Sequence, residues 1–263
     1  MDLGIGGETA LVIGASEGIG YESAKLLLEE GAEVLICSRN ADKLRQAAAR
    51  LEQAAGRAVR WFAADVTKAD DVAKLRTWLE QEAPALDILV SAVGGSQRAS
   101  FEELDDAAWQ ANYEFNIMGT VRVIRAALDG LKKSGRGRIV ILGAAGARMP
   151  YPQQLVSNVH KAGLIALVKT LGAEFQPHGI RVNSVSPGRT MTSLWTTRIG
   201  RMSRERSVPP EQVVAEFAHE IPLGRFAEPG EIAPMVVFLA SHRASYVTCQ
   251  SVLVDGGIAR GLV

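Results

Sequence analysis

A glycine-rich segment near the start of the chain has the residue types that bind phosphate groups. It has the sequence Gly14-Ala15-Ser16-Glu17-Gly18-Ile19-Gly20 and directly follows an apolar run at 11–13. Glycines permit a tight turn and let the backbone approach a pyrophosphate, and the amino end of a following helix favours the negative charge. This strand–turn–helix context predicts a dinucleotide site. Its expected members are Gly14, Ser16, Gly18, Ile19 and Gly20.

The end of the second predicted strand indicates which dinucleotide is bound. Ser38 and Arg39 occupy it, and the first carboxylate after them is that of Asp42. A carboxylate at the strand end binds the ribose 2′-hydroxyl of NAD, whereas a nearby arginine accommodates the 2′-phosphate of NADP. Arg39 offers a planar, permanently charged fork that suits phosphate, while Glu17 in the phosphate loop is an objection. We expect NADP(H) to be preferred over NAD(H).

Short runs rich in valine and isoleucine alternate with helical patterns along the chain. They predict strands at Thr9–Ile13, 34–37, 59–64, Ile88–Ser91, 139–142, 181–185 and 252–254, and helices at 18–30, Ala41–Ala55, 68–82 and 158–175, with Thr67 capping the third. Repeated βα alternation predicts an α/β protein. We expect a single domain over 1–263, with a Rossmann-type, doubly wound parallel sheet of about seven strands and helices on both faces. The segment at about 190–226 breaks the alternation and is expected to form a substrate lid.

The composition excludes several functional classes. Of the 263 residues, 47% are hydrophobic and 22% are charged, as in ordinary globular proteins. The 29 basic residues balance 29 acidic ones, so no overall charge favours nucleic acid or a membrane surface. No apolar run is long enough to span a bilayer, and residues 1–4 lack a secretory pattern. Cys37 and Cys249 lack metal-ligand spacing. We expect a cytoplasmic protein without a metal site.

Further motifs resemble the short-chain dehydrogenase/reductase superfamily over essentially the whole chain. They are Asp65-Val66, Asn116-Ile117-Met118-Gly119, His178-Gly179-Ile180-Arg181-Val182-Asn183, Pro187-Gly188, Pro222-Leu223-Gly224-Arg225 and Val254-Asp255-Gly256-Gly257, together with the glycine loop. The resemblance implies that Asp65 and Val66 hold the adenine. It also implies that Pro187, Gly188 and either Thr190 or Thr192 frame the nicotinamide.

The resemblance also locates a catalytic site that is altered in this chain. The family uses Asn, Ser, Tyr and Lys; Asn116 and Lys161 occupy two of these positions, and Lys161 is expected to bind the nicotinamide ribose. The position four residues before Lys161 holds Ser157 in place of Tyr, and the position thirteen residues earlier holds Ala144 in place of Ser. An alkyl alcohol is a far weaker acid than a phenol, so Ser157 donates a proton only within a relay.

Another side chain is therefore expected to supply the proton. Tyr151 is our first candidate because it lies in the loop where the family's substrate cleft opens, although a packing role is the alternative. Tyr113 is expected in the core, and His160 is interpreted as a buried or interface histidine. The 2,4-dienoyl-CoA reductases of the same superfamily also carry Ser at the usual Tyr position, which favours an activated enone or similar conjugated carbonyl as substrate.

The segment after the nicotinamide loop is rich in arginine, with Arg189, Arg198, Arg201, Arg204 and Arg206 opposed by Glu205 alone. Arginine binds carboxylates and phosphates bidentately, so the small-molecule substrate is expected to be anionic or carrier-linked, with a solvated basic helix as the alternative. Helix 158–175 is apolar around much of its surface. By resemblance it pairs with a second copy together with 112–129, which gives a homodimer or homotetramer.

Two other functions stay open. The first is a catalytically inactive pseudo-enzyme that binds the cofactor as a sensor or as an oligomer partner. The second is redox-neutral chemistry in the same cleft, such as a dehydration or an isomerisation. NADPH consumption with a panel of enones separates both from an NADP-dependent reductase.

Overall fold

A parallel β-sheet forms the centre of the protein, whose residues 2–261 are described by a computed structural model. Its seven strands lie in the order β3-β2-β1-β4-β5-β6-β7. They are β1 (Thr9–Ile13), β2 (Glu33–Ser38), β3 (Arg60–Ala63), β4 (Ile88–Ser91), β5 (Arg138–Leu142), β6 (Arg181–Pro187) and β7 (Ser251–Val254). β1, β4 and β5 are almost entirely buried, because helices cover both faces of the sheet. The predicted single-domain, doubly wound sheet is confirmed.

The described residues contain nine α-helices around the sheet. They are α1 (Gly18–Glu29), α2 (Ala41–Ala55), α3 (Ala69–Glu82), α4 (Asp106–Tyr113), α5 (Gly119–Ser134), α6 (Leu155–Glu174), α7 (Ser193–Arg206), α8 (Pro210–His219) and α9 (Pro229–Ala240). One apolar cluster joins α1, α2 and α9 to the sheet, and a second joins α3, α5 and α6 to its opposite face. A third, smaller cluster lies under α7 and α8.

The order of the strands positions a crevice. The chain runs outward from β1 through β2 to β3, then returns to β4 on the other side of β1. At this switch point the connections on the two sides leave in opposite directions, so a crevice opens at the carboxyl ends of the strands. The glycine loop follows β1 at this edge.

Some local features differ from the sequence-based expectations. Helices α4 and α5 are joined by one π-helical turn, Glu114–Met118, so the chain around Asn116 is not a continuous α-helix. Thr67 does not cap α3, because its hydroxyl donates to the Asp65 carboxylate at 2.7 Å instead. Helix α9 was not predicted; Pro229 in its first turn and the Glu228–Glu231 capping box begin it.

Residues 2–261 show neither a membrane-spanning helix nor a cluster of metal ligands. None of the helices there combines the length and the apolar character that a membrane span requires. The same residues contain no cluster of three or more His, Cys, Asp or Glu side chains arranged to hold a metal ion.

Candidate active site

The glycine loop has a backbone that only glycine fits at two positions. Gly14 has φ of +79°, and a Cβ there would lie 2.6 Å from the carbonyl oxygen of Ala92. A Cβ on Gly20 would lie 2.3 Å from the carbonyl oxygen of Gly14. Both contacts are too short for carbon and oxygen, so the loop and the start of α1 pack together only without side chains. No side chain of the described residues caps α1, which leaves its first N–H groups for an anion.

Glu17, at the start of α1, is engaged by two neighbouring elements. Its carboxylate accepts a hydrogen bond of 2.6 Å from the Ser193 hydroxyl and lies 3.4 Å from the Lys43 ammonium. These contacts outweigh partial burial and hold the pKa of Glu17 below its usual value, with Ser193 contributing most. The negative charge is therefore offset by Lys43, and Ser193 ties the first residue of α7 to the glycine loop.

The end of β2 brings together the residues that were predicted to select the cofactor. The Ser38 hydroxyl donates to the Ser16 hydroxyl at 3.1 Å. Arg39 is exposed, and its guanidinium carbon lies 6.0 Å from the centre of the Phe115 ring. Burial opposes ionisation of Asp65, but hydrogen bonds from Thr67 and the charges of Lys68 and Arg39 lower its pKa overall. Arg39 is therefore close enough for its positive charge to help lower the pKa of the Asp65 carboxyl group.

Asn116 and Lys161 converge beside Gly94, after the end of β4. A Cβ on Gly94 would lie 2.4 Å from the Lys161 Nζ and 2.6 Å from the Asn116 Oδ1. The π-helical turn directs the Asn116 amide inward, where its Oδ1 accepts from the Gly95 N–H at 3.1 Å. Lys161 donates to the Leu142 carbonyl at 3.2 Å, and burial lowers its pKa to about 8. Lys161 thus lines the cleft, whereas the Asn116 amide is hydrogen-bonded to Gly95 and Asn112 inside the protein.

Ser157 has a structural partner. Its side chain is buried, and its Oγ accepts a hydrogen bond of 3.0 Å from the Gln97 N–H. One turn earlier on the same side of the cleft, Gln154 accepts a hydrogen bond of 2.6 Å from the Ser96 hydroxyl. These two bonds hold the loop after β4 against the start of α6. Ala144, which follows β5, contributes only a methyl group to the cleft.

Tyr151 has the unpaired hydroxyl of this region. Its oxygen is buried and has no hydrogen-bond partner among residues 2–261. Burial raises the pKa of Tyr151 to about 12, against the opposing effect of Arg189, whose guanidinium carbon lies 5.8 Å from the ring centre. The phenol therefore keeps its proton at neutral pH.

The other candidates near Asn116 pack against one another. His160 Nδ1 is 2.8 Å from the Asn112 Oδ1, and burial lowers the pKa of this histidine. Asn112 in turn accepts from the Asn116 amide at 3.0 Å. Tyr113 lies edge-on to the His160 ring, yet it is 38% exposed, so its prediction as a core residue was wrong. It stays partly at the surface because its ring contact with His160 covers only a part of the side chain.

The arginines of the segment 190–226 and Arg189 before it do not form one exposed cluster. Arg206 pairs with Glu216 of α8, and Arg201 pairs with Glu205. Arg189 is buried, binds the Phe217 carbonyl and pairs with Glu220. The expectation that Glu205 alone opposes these charges was therefore wrong, because the turn from α7 into α8 brings up two further carboxylates. Arg198 is also buried.

A cleft of about 320 Å³ connects most of the predicted residues. Its lining includes Gly14, Gly18, Ile19, Gly20, Ala144, Tyr151, Ser157, Lys161, Pro187, Gly188 and Thr190. Its lining does not include Ser16, Ser38, Arg39, Asp65, Val66 or Asn116. Sequence reasoning missed Gly94, Ser96 and Gln154, which also line it. The glycine pair Gly94-Gly95 after a buried strand was the available signal for the first of these.

Comparison with known proteins agrees with this geometry. A family model described as Enoyl-(Acyl carrier protein) reductase matches residues 14–259. The 2,3-dihydro-2,3-dihydroxybenzoate dehydrogenase of Bacillus subtilis is 32% identical, over 98% of both chains. L-Sorbose reductase of Gluconobacter frateurii, solved with NADPH and L-sorbose, superposes with a TM-score of 0.96 at 32% identity over 100% of both chains.

A further solved structure is similar as well. It is an NADPH-bound short-chain oxidoreductase of Pseudomonas aeruginosa, described as containing an atypical catalytic center, with a TM-score of 0.89, 31% identity and 97% coverage of both chains. The fold and the cleft thus place the protein in the class of Rossmann-fold oxidoreductases, which use nicotinamide cofactors. This chain belongs to the short-chain dehydrogenase/reductase family.

Proposed function

We propose that the chain is an NADP(H)-dependent reductase of conjugated carbonyl compounds, with an active site in which Ala144 and Ser157 replace the family's Ser and Tyr. The observation that carries this proposal is the unpaired, buried hydroxyl of Tyr151 in the same cleft as Lys161. Two of the similar structures are described as NADPH complexes, and the matching family model is named for enoyl reduction.

The residues of the chain fit the cofactor. The glycine loop has no room for a Cβ at Gly14 or Gly20, and the uncapped N–H groups of α1 suit a pyrophosphate. Asp65 and Val66 would hold the adenine. Pro187, Gly188 and Thr190 would frame the nicotinamide, with Lys161 on its ribose. NADPH, when bound there, supplies a hydride.

The preference for NADP(H) follows from the charges at the end of β2. Arg39 has no hydrogen-bond or ion-pair partner within residues 2–261, so its donors are available for a 2′-phosphate. Ser38 and Ser16 add two hydroxyls, and no carboxylate is present at the strand end. Glu17, the objection raised by the sequence, has its charge offset by Lys43. A 2′-phosphate bound at the end of β2 would therefore have the unpaired guanidinium group of Arg39 as its partner.

We assign proton donation to Tyr151 rather than to Ser157. Ser157 already accepts the hydrogen bond of Gln97, and an alkyl alcohol is a poor acid. The phenol of Tyr151 is protonated at neutral pH. When hydride reaches the β-carbon of an enone, the electron pair moves to the α-carbon and the carbonyl oxygen. This enolate is a strong base, so a weak acid suffices to protonate it, and Tyr151 regains its proton from solvent.

Turnover of NADPH with an enone tests this function. Tyr151→Phe should reduce the rate by roughly 10²- to 10⁴-fold, as expected for loss of a positioned acid. Tyr246→Phe, at a fully exposed tyrosine, serves as the matched control and should leave the rate unchanged. Cofactor binding without turnover of any enone would instead favour a cofactor-binding pseudo-enzyme. Release of product without NADPH oxidation would favour a dehydratase or an isomerase.

We also propose that the protein is a homodimer or homotetramer. Tyr113 at the end of α4 and Val159 on α6 are large apolar residues with exposed fractions of 38% and 49%. The two helices pack side by side, so these side chains belong to one surface that a second copy can cover. Light scattering should give a multiple of 28.1 kDa, whereas a monomer at micromolar concentration would refute the proposal.

A further inference from the structure

Arg198 of α7 is a buried cation without a protein partner. Only 7% of it is exposed, and it forms no hydrogen bond or ion pair with any of residues 2–261. Its guanidinium carbon lies 4.6 Å from the centre of the Trp195 ring, one turn earlier on the same helix. Stacking uses the face of a guanidinium and leaves its in-plane N–H groups for an acceptor. Each of its nitrogens keeps some accessible surface, so an acceptor from outside the protein can still pair with this largely buried charge.

Two further guanidinium groups share the aromatic surroundings of Arg198. Arg189 lies 5.9 Å from the centre of the Trp195 ring and 4.7 Å from that of Phe217. Arg98, on the loop after β4, lies 5.8 Å from the centre of the same Phe217 ring. Trp195 and Phe217 are themselves in contact, with ring centres 5.1 Å apart. The three cations therefore occupy one region.

The charges of this region are only partly compensated by the protein. Glu220 pairs with Arg189. Arg98 donates to the Oε1 of Gln153, a neutral amide, at 2.6 Å. Burial, followed by repulsion from Arg98, Arg201 and Arg189, lowers the pKa of Arg198 to about 10. Arg198 thus stays charged at neutral pH.

This region adjoins the cleft through the side chains that the arginines contact. Trp195 and Tyr151 both line the cleft, and the guanidinium carbon of Arg189 lies 5.8 Å from the Tyr151 ring centre. The unpaired Tyr151 hydroxyl is buried nearby. The cleft therefore adjoins this region at Trp195 and Tyr151, where Arg189 is the nearest guanidinium, while Arg98 and Arg198 are not themselves among the residues that line the cleft.

We propose that Arg198 and Arg98 bind a carboxylate group of the substrate, while Arg189 is held in place by Glu220. The proposal rests on the proposed function in taking the cleft as the substrate site, and it narrows the substrate to an organic acid. A carboxylate matches the guanidinium fork in shape and charge. The exposed Arg204 and the ion-paired Arg201 and Arg206 take no part.

Direct binding tests the carboxylate subsite without turnover. Cyclohexanecarboxylate and the neutral cyclohexanecarboxamide are titrated by calorimetry into the NADP⁺-loaded protein at pH 7.5. The wild type should bind the carboxylate at least about tenfold more tightly than the amide, since a hydrogen bond between charged groups is stronger than one between neutral groups. Arg198→Gln and Arg98→Gln should each reduce this preference. Arg204→Gln, the same change at an exposed arginine of α7, should retain it.

Equal affinities for the two ligands in the wild type, or no measurable binding of the carboxylate, would overturn the subsite. So would a preference that survives in both Arg198→Gln and Arg98→Gln. If Arg198→Gln does not fold, as judged by its thermal melt, Arg98→Gln alone decides. A protein that prefers the carboxylate but never oxidises NADPH keeps the subsite and loses the reductase function. A protein that reduces enones without this preference keeps the reductase function and loses the carboxylate subsite.

Discussion

Replacement of Arg39 by alanine examines the choice of cofactor. The guanidinium is exposed at the end of β2 and is unpaired within residues 2–261. A hydrogen bond between charged groups contributes about 1.5–3 kcal/mol, but solvent screening reduces this at an exposed position. We therefore take about 1.4 kcal/mol, which corresponds to a tenfold change in Kd. Arg39→Ala should weaken NADP⁺ binding about tenfold and leave NAD⁺ binding unchanged.

Calorimetric titration of both dinucleotides into the wild type and the variant measures this effect. Arg45→Ala is the matched control, because Arg45 is an exposed arginine of α2 that pairs with Asp42 at 2.8 Å. It should alter neither affinity. The wild-type preference for NADP⁺ should also shrink as salt is added, since the interaction is electrostatic and exposed. Equal losses for NADP⁺ and NAD⁺, or the same loss in Arg45→Ala, would refute the assignment of Arg39 to the 2′-phosphate.

Three further changes probe the glycine loop, the buried lysine and the proposed replacement of the family's Ser and Tyr by Ala144 and Ser157. Gly20→Ala, whose Cβ would lie 2.3 Å from the Gly14 carbonyl oxygen, should lower the free energy of unfolding by about 1–3 kcal/mol and weaken cofactor binding. Gly6→Ala, which meets only one atom, at 3.9 Å, should do neither, and similar melts for the two variants would contradict the loop geometry. Burial lowers the pKa of Lys161 from 10.5 to about 8, so between these pH values the unfolded chain binds the additional proton. The cofactor-free wild type should therefore gain stability relative to Lys161→Met as pH rises from about 8 to 10.5; urea unfolding that shows a constant difference would count against a buried, destabilised ammonium. Restoring both family residues with Ala144→Ser and Ser157→Tyr should raise the rate of simple ketone reduction at least about tenfold. A folded, cofactor-binding double variant with no such gain would show that these two positions do not limit the chemistry.

The sheet could be predicted from the sequence because its strands are short valine- and isoleucine-rich runs separated by clear helix signals. Thr9–Ile13 and Ile88–Ser91 were predicted with their observed bounds. The helix Ala41–Ala55 was predicted as well, since Asn40 caps it and Gly56 ends it in the left-handed region. Such signals are local, so they predict an element without knowledge of its contacts with distant parts of the chain.

The features that sequence reasoning missed depend on distant contacts. The π-helical turn at Asn116 places its amide against Gly95, which lies 21 positions away, and no local pattern distinguishes that turn from an α-helix. The pairing of Arg189 with Glu220 and of Arg206 with Glu216 depends on how α7 turns into α8. That turn gives Arg189 and Arg206 their carboxylate partners and leaves Arg198 without one. The helical pattern of the sequence does not show which of these arginines is paired with a carboxylate.

Transfer of deuterium from NADPH that carries deuterium at both C4 positions of the nicotinamide tests the central claim most directly. The substrate is 3-oxocyclohex-1-ene-1-carboxylate, which combines a conjugated enone with the proposed carboxylate anchor. We expect the product to carry one deuterium at the β-carbon of the former enone, as seen by NMR, with the carbonyl group intact. Deuterium at the carbonyl carbon would show ordinary ketone reduction. Bound cofactor without any transfer of deuterium, to this substrate or to 2-cyclohexenone, would contradict a reductase function altogether.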